Sequence, residues 1–312
     1  MLGAHAESQR SIRKISRGFS SFPKSFPKSF DSPRQTGELI LLVMPIQSDD
    51  KYLELIIKKI EVCKAYRPKL GKKDAVSMDE FRALYSADMF YNWFGMSNPL
   101  LYAAHKAAGG ITSLYRQIGI GCERVIKQIL KDQLSLSAAQ TTWSYSKAIP
   151  GRKTRQTLTL DGRIPISEIR DAAAKKRVKR WMTGAMKHVS IEPKIAASLN
   201  GPVFEIRQGY KSKDSKRQNA DIANAGTAYS QAWFPVAMLL SNQIDGDVAE
   251  AYVRAGWLLL RGVDSTSPHV STYAFIKDVL GYDLAGFFER NSSALQTKVG
   301  EVLQALLAPE TA

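Results

Sequence analysis

The chain has few of the residues on which disulfide-bonded, zinc-binding or membrane-spanning proteins depend. Its two cysteines, Cys63 and Cys122, are too few for a disulfide framework and lack the spacing of a zinc site. The four histidines show no paired spacing either, which argues against a zinc hydrolase. No apolar run reaches the roughly 18 residues that suggest a transmembrane helix. We therefore expect no membrane span and a reducing compartment, the cytoplasm.

Acidic residues are scarce relative to basic ones. The chain has 29 Asp and Glu against 44 Lys and Arg, a formal net charge of +15. This balance favours polyanionic partners, nucleic acid first and an anionic membrane surface second. No glycine-rich phosphate loop accompanies it, because GIGCE lacks the third glycine and the preceding strand of a dinucleotide-binding motif. A nucleotide site of that type is therefore not expected.

Residues 1–43 differ in composition from the rest of the chain. They contain the repeat SFPKSFPKSF, and Pro23, Pro27 and Pro33 exclude a long helix. One interpretation is a basic, acid-poor transit peptide. The other is a translated upstream region, because MPIQSDDKYLELI, from Met44, reads like a fresh N-terminus. We favour the second, and expect a disordered leader or a mis-assigned start.

Residues 44–110 are predicted to form a helical region rich in aromatic residues. Apolar residues recur at helical spacing over residues 49–65, and SMDE at 77–80 is a capping box that opens a second helix. Asn98-Pro99 begins LLYAAHKAA, which we expect to end at Gly109-Gly110. A further helical run then extends from Thr112 to about residue 134.

From about residue 141 the pattern changes to strands alternating with helices. TTWSYSKAI and RQTLTLDGRIPI are β-rich, and PVFEIRQ is a strand closed by Gly209. DSKRQNADIANAGTAYSQA and IDGDVAEAYVRAG predict helices, whereas WFPVAMLLS and WLLLRGV predict buried strands. Two helices after about residue 270 finish the chain. The alternation predicts an α/β fold whose sheet has parallel members.

Two strands carry acids that suit metal-assisted hydrolysis of a phosphodiester, because Mg²⁺ is held by carboxylates and substrate phosphate oxygens. Asp161 ends the alternating run TLTLD, and Glu205 shares a strand face with Arg207. A carboxylate beside a guanidinium is unusual in a strand that otherwise looks buried. Further cations follow within one turn and the next helix: Lys211, Lys213, Lys216 and Arg217. An acid followed by clustered cations predicts a site for a metal and a phosphate.

Each of these features also has a purely structural interpretation. Asp161 before Gly162 is compatible with a simple turn. Glu205 and Arg207 are compatible with an ion pair on a solvated face. KSKDSKRQ is compatible with a solvated loop and a helix start capped by Asp214 or Ser215. Their occurrence together, in order and in a basic chain, favours the functional interpretation.

TLTLDGRI, FEIRQGYKSKDSKRQNADIANA and WFPVAMLLS together resemble the PD-(D/E)XK nucleases, and within them the type II restriction endonucleases. The likeness covers roughly residues 111–263. It follows the order of that fold's common core: helix, strand hairpin with an Asp, strand with an acid-x-Lys motif, helix and strand. The resemblance implies a mixed central sheet flanked by helices. It also implies that Asp161 and Glu205 bind Mg²⁺, with Glu123 on the first helix as an accessory acid or as a plain surface residue.

The sequence departs from the family at the motif's lysine, where Arg207 stands. An arginine stays protonated, so it stabilises charge but cannot act as a base. Lys211 replaces the lysine if the chain curls back at Gly209. A family variant moves the second acid onto the following helix, where Asp221 stands. Arg207 and Lys211 are therefore alternative candidates for the catalytic cation. Glu205 and Asp221 are alternative candidates for the second metal ligand.

The segment between Asp161 and Glu205 must be an insertion, and it contains a basic helix at about residues 167–189. Phosphate contacts are its expected use, because they supply affinity without sequence information. A membrane-surface helix would need an apolar face, and AAAKKRVKRW shows little of one. Base reading would fall to the helix after the catalytic strand. The predicted DNA-binding residues are Lys175, Lys176, Arg177, Lys179, Arg180, Lys213, Lys216, Arg217 and Asn219.

We therefore predict a nuclease domain over residues 111–312, elaborated by the helical region at 44–110. It would hydrolyse double-stranded DNA with Mg²⁺ and, as the family implies, leave 5′-phosphate ends. A palindromic target implies a homodimer, and a restriction function implies pairing with a DNA methyltransferase. The alternatives are a non-catalytic DNA- or RNA-binding protein on a degenerate nuclease fold, and a structural or membrane-associated basic protein. The predicted catalytic residues are Asp161, Glu205, Arg207 and Lys211, and the predicted metal ligands are Asp161, Glu205, Glu123 and Asp221.

Overall fold

Helices make up the N-terminal part of the described chain, as predicted. The computed structural model describes residues 47–148, 155–209 and 215–308, so the predicted leader lies outside the described residues. Helix α1 spans Gln47–Glu61, α2 spans Met78–Ala87 and α3 spans Met89–Trp93. The predicted capping box at the start of α2 is confirmed, with Ser77 and Glu80 each bonded to the other's backbone amide.

Helix α4 is a single helix of 36 residues, Pro99–Leu134, and the break expected at Gly109-Gly110 is wrong. These glycines let the helix approach its neighbours. A Cβ at Gly109 would clash with the ring of Tyr66, and a Cβ at Gly110 would clash with Leu306. Glycine costs about 1 kcal/mol in a helix relative to alanine. Here close packing offsets that cost, and the expected domain boundary at 110/111 falls inside α4.

The strands form a mixed arrangement, as predicted. After the short helix α5 (Ala138–Thr141), β1 (Trp143–Ala148) and β2 (Arg155–Leu160) form an antiparallel hairpin. A separate four-stranded sheet has the order β3-β4-β5-β6. Strand β3 is antiparallel to β4, whereas β4, β5 and β6 are parallel. These four strands are Gly162–Arg163, Pro202–Arg207, Phe234–Leu239 and Leu258–Leu260.

Helices connect and cover these strands. The basic helix predicted at 167–189 is confirmed as α6 (Ala172–His188), and the short α7 follows it. Helices α8 and α9 are the crossovers between the parallel strands, and a π-helical segment, Phe275–Leu280, continues α10. The remaining bounds are α7 Pro193–Ala196, α8 Ser215–Ser230, α9 Gly246–Arg254, α10 Thr272–Ala274, α11 Leu284–Arg290 and α12 Ser292–Leu307.

The two faces of the sheet pack against different elements. Phe204 and Ile206 of β4 point into the larger core, with buried residues of α1, α4 and α6. Val203 points to the opposite face, into a smaller core with residues of the hairpin, α8 and α9. Glu205 has the same side-chain direction as Val203, because alternate residues of a strand share a face. This places an acid in the smaller core.

Helix α6 has an apolar face that its sequence did not suggest. Ala174, Val178, Trp181, Met182 and Ala185 are buried at helical spacing. The expectation of little apolar surface was wrong because it considered only AAAKKRVKRW, and the stripe continues beyond that segment. The face is used in the protein core rather than at a membrane surface. Within the described ranges, no helix is long and apolar enough to cross a membrane.

Candidate active site

Asp161 and Glu205 lie side by side, as predicted, because of the strand register. Gly162 pairs with Phe204 in the antiparallel β3–β4 ladder, so one further step sets Asp161 opposite Glu205. The Asp161 amide donates to the Phe204 carbonyl oxygen at 2.9 Å. The Ile206 amide donates to Oδ2 of Asp161 at 2.8 Å. These two bonds fix the Asp161 carboxylate beside β4.

Arg207 brings the two acids into one cluster. Its Nη2 forms an ion pair with Oε1 of Glu205, and its Nη1 lies 3.7 Å from Oδ2 of Asp161. Glu205 is 3% exposed, and Arg207 and Asp161 are 19% and 18% exposed. Two carboxylates and a guanidinium are thus held together at a largely buried point. A carboxylate is seldom buried unless it is paired.

A pocket of about 470 Å³ lies between α4 and the end of β4, and Arg207 is the residue of the cluster that lines it. Glu123 of α4, the accessory acid that the resemblance implied, and Arg207 of β4 both line it. The negative charge of Glu123 is close enough to raise the pKa of Asp161. The other lining residues are Tyr115, Arg116, Gly119, Ile120, Ile206, Gln208 and Gly209.

Lys127 belongs to this cluster, and the sequence analysis missed it. Its Nζ donates to Oε1 of Glu123 at 2.7 Å, and its charge acts to lower the pKa of Asp161. The available signal was its position four residues after Glu123 on one helix, where side chains meet on the same face. A lysine is therefore present near the acids, although it comes from α4 rather than from β4.

Burial is the main influence on Asp161, and it raises the pKa of this carboxyl above the ordinary value. Glu123 raises that pKa further, whereas Arg207, the Ile206 amide and Lys127 lower it. The net shift is upward. Burial and a second acid disfavour the ionised form of a carboxyl group. A nearby cation stabilises that ionised form. Carboxyl groups with a raised pKa are frequent at functional sites.

The donor set fits Mg²⁺ through two carboxylates. Within the described ranges, no group of three or more His, Cys, Asp or Glu residues could hold a metal ion. Mg²⁺ usually binds one or two carboxylates and completes its octahedron with waters and substrate phosphates. Asp161 and Glu205 supply two carboxylates, and Arg207, which lies against both, lines the neighbouring pocket. Arg207 contacts oxygen atoms of both acids, so an ion would compete with its guanidinium.

Several predicted residues are not described by the structure. Lys211 and Lys213 lie outside the described residues. The backbone of α8 is described, but the side chains of its first two turns are not. The choices between Arg207 and Lys211, and between Glu205 and Asp221, therefore stay open. The α8 side chains concerned include Lys216, Arg217, Asn219 and Asp221.

The basic side chains of α6 fall into two groups. Lys176, Lys179 and Arg180 are exposed, which suits the predicted phosphate contacts. Lys175 is partly buried and donates to the Ser167 carbonyl oxygen at 2.9 Å. Arg177 is also partly buried and donates to the Val279 carbonyl oxygen at 3.3 Å. The two partly buried residues tie α6 to its neighbours.

The cysteines do not contribute to the site. Cys63 and Cys122 are buried and free. Burial raises the pKa of the Cys122 thiol to about 12, so it is protonated at neutral pH. Comparison of the chain with protein-family models, with curated proteins and with solved structures found no match.

Proposed function

We propose that this chain is a Mg²⁺-dependent endonuclease of the type II restriction class that cuts double-stranded DNA and leaves 5′-phosphate ends. The observation that carries the proposal is the meeting of Asp161, Glu205 and Arg207 beside a pocket lined by Glu123. The order of the elements also supports it. A long helix, a hairpin ending in Asp, a strand with Glu-x-Arg, a helix and a parallel strand follow one another.

In the proposed reaction Asp161 and Glu205 would hold the ion. Mg²⁺, when bound, neutralises charge on the phosphodiester and activates a water for attack. The pocket beside Arg207 is open enough to admit a backbone phosphate. Arg207 stays protonated and stabilises the negative charge that develops on the phosphate oxygens. Glu123 holds Lys127 close to Asp161, which adds a second cation on the α4 side.

The proposed substrate accounts for the basic surface. Exposed cations of α6 contact backbone phosphates, and the helix after β4 reads bases with Arg217 and Asn219. A restriction enzyme needs its own genome protected, so a DNA methyltransferase of the same specificity is the proposed partner. The cytoplasm, where that genome lies, is the proposed location.

A non-catalytic nucleic-acid-binding protein is the second candidate, and one observation favours it. Arg207 pairs with Glu205 and lies near Asp161, so the two acids are partly neutralised without a metal. Such a cluster also has a purely structural interpretation, because a buried charge is strongly destabilising once its partner is removed. The two candidates differ in one outcome, which is whether phosphodiester bonds are broken.

Incubation of the full chain with supercoiled plasmid, with Mg²⁺ or with EDTA, separates them. The nuclease proposal expects Mg²⁺-dependent linear products whose sequenced ends share one short motif and carry 5′-phosphates. Asp161→Asn and Glu205→Gln should abolish cutting yet still bind DNA, whereas Glu250→Gln, an exposed acid on α9, should cut normally. Binding without cutting by the wild-type chain under all divalent metals tried would favour the second candidate.

A further inference from the structure

One side of the N-terminal half of α4 presents apolar residues to solvent. Leu100, Ala104, Ala108, Ile111 and Tyr115 are all exposed and recur every three or four residues. We call these five residues the α4 stripe. On the other side of the same helix Lys106 is 8% exposed. Tyr102 and Leu114 are buried on that same side, so this half of α4 is apolar both on its packed side and on its solvent-facing side.

A second apolar surface precedes the α4 stripe in the chain. Residues 89–94, here called the aromatic segment, expose Met89, Phe90, Tyr91, Trp93 and Phe94. Trp93 is 73% exposed and Phe94 is 69% exposed. Beneath the segment is a satellite core of only three buried residues, centred on Phe81. The four aromatic rings alone present on the order of 500 Å² of apolar surface, since each buries about 150–250 Å² when covered.

This surface carries almost no charge. Asp88 and Lys106 are the only Asp, Glu, Lys or Arg residues between 83 and 115, in a chain of net charge +15. A nucleic acid would require cations here, and an anionic membrane would require them too. Two copies of a strongly basic chain repel each other, so they approach most easily through a neutral face. The charge pattern therefore favours a neutral protein surface as the occupant, and a second copy of this chain carries such a surface.

We propose that the α4 stripe and the aromatic segment form a two-fold homodimer interface. Ala104 and Ala108 allow two helices to approach to the roughly 8–10 Å typical of packed pairs. In an antiparallel pair centred near Ala108, Leu100 of one copy faces Tyr115 of the other. Tyr115 lines the pocket beside Arg207, so Leu100 of each copy would lie at the edge of the other copy's pocket. With Met89 and Leu100 added, the area approaches the about 800 Å² per partner of a standard interface.

The dimer deepens the proposed function, because two-fold DNA targets are matched by two-fold proteins. Its test requires neither DNA nor Mg²⁺. Sedimentation equilibrium of the full chain in EDTA should give a dimer at micromolar concentration. Ala104→Glu with Ile111→Glu should give a monomer whose thermal unfolding stays cooperative. Val253→Glu, at an exposed apolar position of α9, is the matched control and should remain dimeric.

Cross-linking then tests the geometry. Ala108→Cys should form a covalent dimer rapidly with diamide, because residues near a two-fold axis face their own copies. Val253→Cys should cross-link slowly, and the native cysteines are buried. A monomeric wild type, a dimer that survives the double substitution, or equal cross-linking of the two variants would overturn the interface. A dimer that does not cut DNA would instead overturn the proposed function and leave the interface standing.

Discussion

The guanidinium of Arg207 is paired with the carboxylate of Glu205, two residues earlier on the same strand. Moving a charge from water into a protein interior costs several kcal/mol, and the pairing offsets that cost only in part. Glu205 also pairs in register with Ala237 of β5, so no polar side chain from that strand position helps to hold it. The pair is a poor choice for stability alone, which favours a functional role.

Arg207→Lys should retain substantial nuclease activity, because the cation is expected to act by its charge. Arg207→Ala should lose about 10²–10³ in cleavage rate, the usual cost of removing one electrostatic stabiliser. Single-turnover cleavage of a defined duplex measures both. The lysine variant is decisive, because it keeps Glu205 paired and separates the loss of charge from the loss of the fold.

Two further cations compete with Arg207 and are tested in the same assay. If Lys211 is the catalytic cation, Lys211→Ala should lower the cleavage rate severely and Arg207→Ala should lower it only mildly. Lys127→Ala should lower the cleavage rate to an intermediate extent, because Lys127 is held near the acids by its bond to Glu123. Normal cleavage by Arg207→Ala and Lys211→Ala alike would contradict the placement of the site around β4.

Asp161→Asn should stabilise the protein at neutral pH in the absence of metal. Burial raises the pKa of Asp161 above its ordinary 3.8, so the folded state prefers the protonated carboxyl. The contribution of Asp161 to stability is therefore greatest below about pH 3.8, and it is lost as the pH rises through the elevated folded value. Asparagine removes that loss while still accepting the bond from the Ile206 amide.

Urea unfolding of both forms over a range of pH values measures this difference. The gain in unfolding free energy of Asp161→Asn over wild type should grow as the pH rises through that window, then level off. Mg²⁺ should reduce this difference in unfolding free energy, because it is expected to bind the ionised carboxylates of the wild type. A gap that is independent of pH would mean that the carboxyl is not perturbed in the folded state.

Gly109→Ala and Gly110→Ala should each destabilise the protein, although alanine is the better helix former by about 1 kcal/mol. The added methyl group would meet Tyr66 or Leu306, which pack directly on the helix. Gly300→Ala in α12 is the matched control, since its methyl group would have open space. That variant should gain up to about 1 kcal/mol. Thermal unfolding compares the three variants. A higher unfolding temperature for all three would show that α4 has room for a methyl group at Gly109 and Gly110.

The sequence predicted the elements of the α/β part well because their apolar periodicities are strong. Strand alternation also predicted that Glu205 and Arg207 share a face, and the family resemblance implied that Asp161 lies close to Glu205. The helix end predicted at Gly109-Gly110 was wrong, because a glycine pair is equally typical of a helix end and of a close helix contact. Only the positions of Tyr66 and Leu306, distant in the chain, decide between these.

Long-range packing also explains what the sequence could not assign. Lys127 enters the site because α4 packs beside β4, and no local pattern indicates the distance from a helix to a strand. The cations of α6 looked equivalent in sequence, whereas the structure divides them by their partners. Lys175 and Arg177 find carbonyl oxygens on other elements, and the other three face solvent.

That division leads to a prediction for DNA binding by α6. Replacing Lys176, Lys179 and Arg180 with Gln should weaken binding to all DNA sequences alike. The slope of log affinity against log salt concentration should flatten by about 0.9 for each phosphate that the helix no longer neutralises. Replacing Lys175 and Arg177 with Gln should instead lower the unfolding temperature and leave the slope nearly unchanged. Fluorescence anisotropy with unrelated duplexes in Ca²⁺ measures the slope.

An unchanged slope for the variant lacking Lys176, Lys179 and Arg180 would show that these charges face solvent without contacting DNA. An altered sequence preference at a constant slope would instead assign them to base reading.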